Sequence, residues 1–320
     1  MRVWHGLAEV SEDLGRTVVT LGNFDGVHRG HRHVLAEARD LAVRLGGLPV
    51  VAVTFDPHPM SVIRPDKAPQ PLTSLEDRVA LLGAAGADAV LVLAFTSELA
   101  DQAAAHFAES VVFGGLHAAG VVVGENFRFG HRALGDVDLL RDLAGRYGAE
   151  VAGLPLDGAG DRTWSSTYVR TRLKEGDVSA AAEALGRLFS LHGCVVKGDQ
   201  RGRELGYPTA NVPVSTSRTA VPADGVYAGW LRRLDRPGAP WEPAAISVGT
   251  NPTFDGTDRR VESYVLDRTD LELYDVLVEV AFVERLRGMV RFDSVDDLVR
   301  QMAADVDRCR SILDVPPPPA

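Results

Sequence analysis

The chain has 320 residues, 45% hydrophobic and 24% charged, enough for one large domain or two ordinary ones with separate cores, which excludes disorder, collagen and small disulfide scaffolds. A formal charge of -10 makes long polyanions poor partners, so no nucleic acid is expected, and small anionic substrates would need local histidines, arginines, helix N-termini or a metal ion. Glu9, Glu12 and Asp13 interrupt the opening segment and no apolar run approaches the ~18 residues that span a bilayer, so no leader or membrane contact is expected and the expected compartment is the cytoplasm.

The first half predicts alternating strands and helices. A β-rich run, Thr17 to Leu21, breaks at Gly22 and reopens as a helix near Gly30. Four further short apolar runs follow: Pro49 to Phe55, Ala89 to Phe95, Gly120 to Gly124 and Ala149 to Leu156. Between them, Thr73 to Glu76 has capping-box spacing, and Asp101 to Val112 and Gly135 to Tyr147 carry helical apolar spacing. Strands separated by helices imply parallel crossovers, hence a doubly wound α/β sheet with its ligands beyond the C-terminal strand ends.

Helices are next expected over Ser166 to Lys174 and Val178 to Leu185. Beyond them, strand candidates Leu191 to Val196, Gly225 to Arg233, Ala244 to Val248, Val261 to Asp267 and Val276 to Val283 are divided by Gly, Pro and Asn turns, which suits a small antiparallel β-barrel. A terminal helix starts at Ser294, with Asp297 at the capping-box position, and runs to about Leu313. These elements suggest domains over 1–185 and 186–314, and a Pro-rich disordered tail over 315–320. Cys194 and Cys309 lie far apart without a CxxC and are expected to be free thiols.

Two segments carry chemistry. Gly22-Asn23-Phe24-Asp25-Gly26-Val27-His28-Arg29-Gly30-His31 sits where the first strand hands over to the first helix. Free amides at a helix start attract phosphate, Gly26 and Gly30 admit a close backbone approach, and imidazoles at HxGH spacing can donate to phosphate oxygens. The alternatives for this segment are a glycine turn with solvated histidines, or a zinc site from His28, His31 and His33. The second segment runs from Gly198 to Asn211 and joins a glycine-rich loop (Gly198, Gly202, Arg203, Gly206) to Pro208-Thr209-Ala210-Asn211. In a strand Thr209 and Asn211 share a face, and their oxygens are hard donors that suit Mg²⁺ on nucleotide phosphates. Taken alone, the segment reads better as a surface hairpin with Thr and Asn as turn formers.

In combination these motifs resemble the bacterial bifunctional riboflavin kinase/FMN adenylyltransferase family, whose N-terminal half is an HxGH nucleotidyltransferase of Rossmann-like fold. The resemblance covers nearly the whole chain. It also includes Phe55-Asp56-Pro57-His58-Pro59, Val123 to Gly130, Ser165 to Arg170, Pro222 to Gly229, Ser247 to Phe254, Arg260 to Tyr264 and Phe282 to Arg287. It implies an enzyme that phosphorylates riboflavin to FMN in the barrel and adenylylates FMN to FAD in the N-terminal domain, with ATP as co-substrate and Mg²⁺ as cofactor. It implies further that His28 and His31 contact ATP phosphates, that Gly22, Asn23, Phe24, Asp25, Gly26 and Gly30 form the nucleotide loop, and that Asn126 positions the nucleotide. Ser166, Thr167 and Arg170 are similar to the superfamily's second phosphate-binding segment. Phe55, Pro57, His58, Phe127 and Phe129 are candidates for the flavin wall of this half, although core packing explains aromatic residues equally well.

For the kinase half, the resemblance assigns Gly198, Gly202, Arg203, Gly206 and Pro208 to nucleotide, Thr209 and Asn211 to metal, Arg291 and Phe292 to flavin, and Glu262 as catalytic base. The chemistry agrees: an FMN phosphate is already an anionic nucleophile, whereas the riboflavin hydroxyl is neutral and is helped by a carboxylate. One residue departs from the family pattern, because Asp275 follows Tyr274 where glycine is usual; aspartate tolerates a left-handed turn. The competing functions are a flavin-binding regulatory or storage protein, and a kinase with a non-catalytic N-terminal half. A monomer or weak homo-oligomer is expected.

Overall fold

The computed structural model describes residues 1–155, 157–159, 162–198, 201–214, 219–250 and 259–318, apart from the side chains of Glu12, Ala159, Arg162, Arg201 and Arg203. By internal contacts the chain forms two units, Met1–Ser166 and Thr167–Ala320. The helices over 166–185, expected to close the first domain, therefore fall almost wholly in the second unit.

The first unit is built on six parallel strands: β1 Arg2–Trp4, β2 Thr17–Leu21, β3 Val50–Asp56, β4 Ala89–Ala94, β5 Ala118–Gly124 and β6 Glu150–Leu154. They lie in the order β1-β4-β3-β2-β5-β6, all parallel. Side chains alternate across the sheet, so both faces need cover. Val19, Leu21, Val51 and Val53 join one apolar cluster, while Val18, Val50 and Ala52 join another with Leu35, Ala38, Leu41 and Ala42 of helix α1, Arg29–Arg44. The sequence order reverses about β2, which has β3 on one side and β5 on the other, and that is where a doubly wound sheet opens its ligand crevice.

The remaining helices of this unit are α2 Pro59–Ile63, α3 Leu75–Ala84, α4 Ser97–Ala100, α5 Ala104–Phe107 and α6 Val137–Tyr147. Three details depart from the sequence reading. Ser74, not Thr73, caps α3 by accepting from the Asp77 amide at 3.0 Å. The helix expected over Asp101 to Val112 begins only at Ala104, as α5 and then a π-helical stretch Ala108–Gly115, and the separate α4 ends at Ala100 before it. The edge strand β1 was not anticipated.

A short hairpin, β7 Gly158–Ala159 and β8 Arg162–Thr163, precedes α7 Ser166–Glu175 and α8 Val178–Leu185. The second unit's sheet consists of β9 Phe189–Cys194, β10 Thr209–Pro213, β11 Gly225–Arg233, β12 Glu242–Gly249, β13 Arg260–Val265 and β14 Leu277–Arg287, with a short helix α9, Arg201–Glu204, before β10. All neighbours are antiparallel in the order β10-β13-β12-β11-β14-β9. The sheet curls until its ends meet at a single bridge, where the Val196 amide donates to the Asn211 carbonyl at 2.8 Å. Tyr227, Phe282 and Phe189 fill the interior through ring contacts of 5.4 and 6.2 Å. Helix α10, Val295–Ile312, is capped by Ser294 as expected and covers the outer face with Val306, Cys309 and the following Leu313 against Val226, Ala228 and Trp230. Asp275 does adopt the left-handed conformation, at φ 60°, with its amide donating to the Val195 carbonyl at 2.9 Å.

Candidate active sites

In the first unit, three segments singled out in the sequence lie at the C-terminal ends of adjacent strands. Gly22 to His28 follows β2, Phe55 to His58 ends β3, and Gly124 to Phe129 follows β5. The first of these is a tight loop with Phe24 at φ 49°, Gly26 at φ 81° and Val27 at φ 38°; two non-glycine residues here hold a conformation that side chains rarely adopt. Asp25 holds it in place. Its buried carboxylate accepts the Leu72 amide at 2.8 Å, the Thr73 amide at 3.2 Å and the Thr73 hydroxyl at 3.3 Å, while Gly26 N–H donates to the same hydroxyl. The Ser166 hydroxyl donates to the Asp25 carbonyl at 2.8 Å, so the residue that opens α7 is fastened to the loop. Arg78, buried on α3 and absent from the sequence-derived site, donates to the carbonyls of Asn23 and Phe55, both at 3.0 Å, and so ties the ends of β2 and β3 together.

His28 stands at the N-terminal boundary of α1, and its ring stacks on His31 with centroids 3.6 Å apart; the Phe24 ring meets His31 edge-on at 5.2 Å. Gly30 lies against the His28 ring and Gly22 against the Phe24 ring. Burial first, and then the adjacent His28, push the His31 imidazole well below its ordinary value of 6.5. At neutral pH His31 is therefore an uncharged ring with one N–H to give. Among the described residues its buried Nδ1 has no hydrogen-bond partner.

The aromatic candidates divide. Phe55 and Phe129 are core residues, in contact with Phe107 at 6.4 and 6.0 Å, and Phe24 is equally buried beneath the histidines. Phe127 stacks on Phe129 at 5.5 Å and stays half-exposed. His58 caps α2 by accepting the Met60 amide, next to exposed Pro57, and Asn126 is exposed in the turn after β5. Thr167 and Arg170 follow on α7, within the second unit.

In the second unit, Gly202, Thr209, Glu262 and Phe292 line one cavity of about 150 Å³ with Tyr207, Tyr264, Met289 and, from α10, Leu298, Met302 and Val306. Strand register explains the meeting: Asn211 pairs with Glu262 and Thr209 with Tyr264, so these side chains share a face. A second cavity of about 400 Å³ takes in Gly198, Pro208, Thr209 and Asn211 together with Ser263, Val265, Arg268 and Leu273. Thr209 lines both. Asn211 gives its amide N–H to the Thr209 hydroxyl at 3.1 Å, and Gly198 packs so closely on the Asn211 amide that a Cβ there would lie 2.7 Å away. The carbonyl of Gly202 accepts the amides of Leu205 and Tyr207, and Gly206, at φ 88°, turns the chain toward β10.

Phe292 also lies over the Arg287 guanidinium at 5.8 Å, which in turn is held by the buried Asp305 of α10. Arg291 lines a shallow hollow with Asp293, Asp297 and Arg300, which Phe292 also borders. The side chain of Arg203, residues 199–200 and residues 251–254 of the Ser247 to Phe254 motif lie outside the described residues.

Residues 10–168 match the FAD synthetase family model and residues 185–313 the riboflavin kinase model. The chain belongs to the bifunctional riboflavin kinase/FMN adenylyltransferase family. It is 34% identical to the family's protein from Escherichia coli K12, over 98% of this chain and 97% of that one, and 37% identical to that of Pseudomonas fluorescens over 98% of both. A solved structure described as a macrolide-efflux protein from Streptococcus pneumoniae matches with a TM-score of 0.85 and 32% identity, over 96% of this chain and 98% of the other. Among the described residues no helix is long and apolar enough to cross a membrane.

Proposed function

We propose that the chain makes FMN from riboflavin and ATP in its second unit and FAD from FMN and ATP, with release of pyrophosphate, in its first, acting in the cytoplasm. Functionally we assign 1–185 to adenylyl transfer and 186–314 to the kinase. The observation that carries the kinase reading is the pair of cavities joined at Thr209. Glu262 lies in the cavity walled by Tyr207, Tyr264 and Phe292, where a flat aromatic substrate fits, and Asn211 and Gly198 lie in the other. Phosphoryl transfer needs acceptor and donor on opposite sides of the moving group, and Thr209 stands between the two cavities. Glu262 takes the proton of the riboflavin hydroxyl as it attacks.

Thr209 and Asn211 fit a hard divalent ion, because they offer two neutral oxygens on one face. Mg²⁺ bound there would neutralise phosphate charge. In the first unit, amides at the start of α1 with His28 and His31 hold the polyphosphate, and Ser166 and Asn126 join the nucleotide site. Phe127, with Pro57 and His58, is left as the exposed part of the flavin wall.

A chromatographic time course with riboflavin, ATP and MgCl₂ tests the reading. FMN should rise and give way to FAD. FMN alone would reduce the first unit to a binding role, and no phosphorylated flavin would reject the proposal. Glu262→Gln should lower FMN formation by about 10²- to 10⁴-fold and leave FAD formation from supplied FMN intact. Equal loss of both would refute the division of labour.

A further inference from the structure

Ser263 on β13 has no place in the chemistry derived so far. It is 1% exposed, and its hydroxyl has no hydrogen-bond partner among the described residues. Strand alternation turns it to the opposite face from Glu262 and Tyr264, into the barrel, where its partners across the strands are Ala210 and Ile246. It is a wall residue of the larger cavity, whose other walls include the aliphatic side chains of Val195, Val265, Leu271 and Leu273. Ala210, directly opposite, is too small to fill the space in front of it. A buried hydroxyl left without a partner costs stability that an alanine in the same place would not, so its presence on this wall calls for a polar group arriving from outside.

We propose that Ser263 is a specificity-determining residue of the kinase half, and that its hydroxyl bonds a heteroatom of the adenine nucleoside when ATP occupies this cavity. This rests on the proposed kinase reading and deepens it. If the γ-phosphate lies at Thr209, between the cavities, the rest of the nucleotide extends away from Glu262 into the cavity that Ser263 lines. A purine has apolar faces and polar edges, and an aliphatic stretch of wall that carries a buried hydroxyl matches both. Val195, Val265, Leu271 and Leu273 carry no side-chain donor or acceptor, so along this aliphatic stretch Ser263 supplies the polar contact, while Arg268, Thr269, Glu272 and Tyr274 line another part of the cavity.

The test compares full-length wild type with Ser263→Ala in both half-reactions. Riboflavin phosphorylation by the variant should show a KM for ATP raised about 3- to 10-fold, the worth of one neutral hydrogen bond. Its kcat, its KM for riboflavin and its FMN adenylylation should hold within twofold. Thermal unfolding without ligand should occur at the same or a higher temperature, since the substitution removes an unpaired buried group; a merely structural serine would instead lower it and leave the KM for ATP alone. Ser263→Thr, which keeps the hydroxyl, should recover at least part of the affinity. An unchanged KM for ATP in Ser263→Ala, with an active wild type, overturns this inference while leaving the kinase reading intact. A wild type that makes no FMN overturns the kinase reading itself, and this inference with it.

Discussion

Replacing Asp25 should separate the two activities. Its carboxylate accepts the amides of Leu72 and Thr73 and the Thr73 hydroxyl, all in buried surroundings, and these contacts span 47 and 48 residues of chain. Hydrogen bonds to a charged group are each worth about 1.5–3 kcal/mol, and Asp25→Ala also strands two buried amides. Those effects overlap, so the net cost is about 4 kcal/mol, spent on releasing a loop that holds Phe24 and Val27 at positive φ. Once released, the loop no longer fixes His28 at the start of α1. A displacement of about 1 Å costs on the order of 10²-fold in rate. Asp25→Ala should therefore lower kcat/KM for FAD formation from FMN by about 100-fold or more and leave riboflavin phosphorylation within twofold. Asp25→Asn, which keeps one acceptor oxygen, should fall between. If both activities decline together, or if the alanine variant keeps its adenylyl transfer, then Asp25 does not hold this loop for catalysis.

Two further outcomes follow from buried titratable groups. Replacing His28 and His31 together by Ala should let FMN accumulate without FAD in the time course, and continued FAD synthesis would show that the HxGH segment is not the adenylyl-transfer site. Burial tends to raise the Glu279 carboxyl, but hydrogen bonds from His192, Ser190 and Arg232 outweigh it and hold the group at about 2 against an ordinary 4.5. A depressed carboxyl contributes stability that is fully present above pH 4.5 and is lost as pH falls from 4.5 to 2, here about 3 kcal/mol. Glu279→Gln should thus lower the urea midpoint at pH 7, with the gap to wild type shrinking between pH 5 and pH 3; a gap that does not change with pH would refute the linkage.

The fold was legible where the apolar pattern is strong. Thr17–Leu21, Val178–Leu185 and Gly225–Arg233 begin and end where the pattern says, because each is bounded by a cap or a turn residue. β1 was missed because three residues, Arg2 and Val3 among them exposed, carry no period; only pairing with β4 makes them a strand. The site was legible as a list and less so as a set of roles. An aromatic residue near a motif reads the same whether it faces a ligand or the core, and Phe55 and Phe129 turn out to face the core. Arg78 was passed over because a charge on a helix usually faces water. Its burial depends on carbonyls 23 and 55 residues away in sequence, as the Asn23 and Phe55 contacts show. Ser263 lies in a strand whose alternation is plain, but period two fixes only the face and not what that face encloses.

The two halves differ in where they put negative charge, and the difference matches what each proposed reaction needs. A neutral hydroxyl acceptor is helped by a carboxylate, and in the second unit Glu262 lines the cavity beside Thr209. An FMN phosphate attacking ATP needs no base, and a carboxylate near the incoming polyphosphate would oppose it. In the first unit the loop's own carboxylate, Asp25, is turned inward onto the backbone of Leu72 and Thr73. That leaves amides and imidazoles on the loop itself, while Asp56 at the end of β3 lies 3.8 Å from the Arg78 guanidinium. Burial and the adjacent His28 keep His31 uncharged, so the site avoids a buried cation pair with His28. One chain thus keeps a carboxylate in the cavity where a proton must leave and turns that of its HxGH loop inward where two anions must meet.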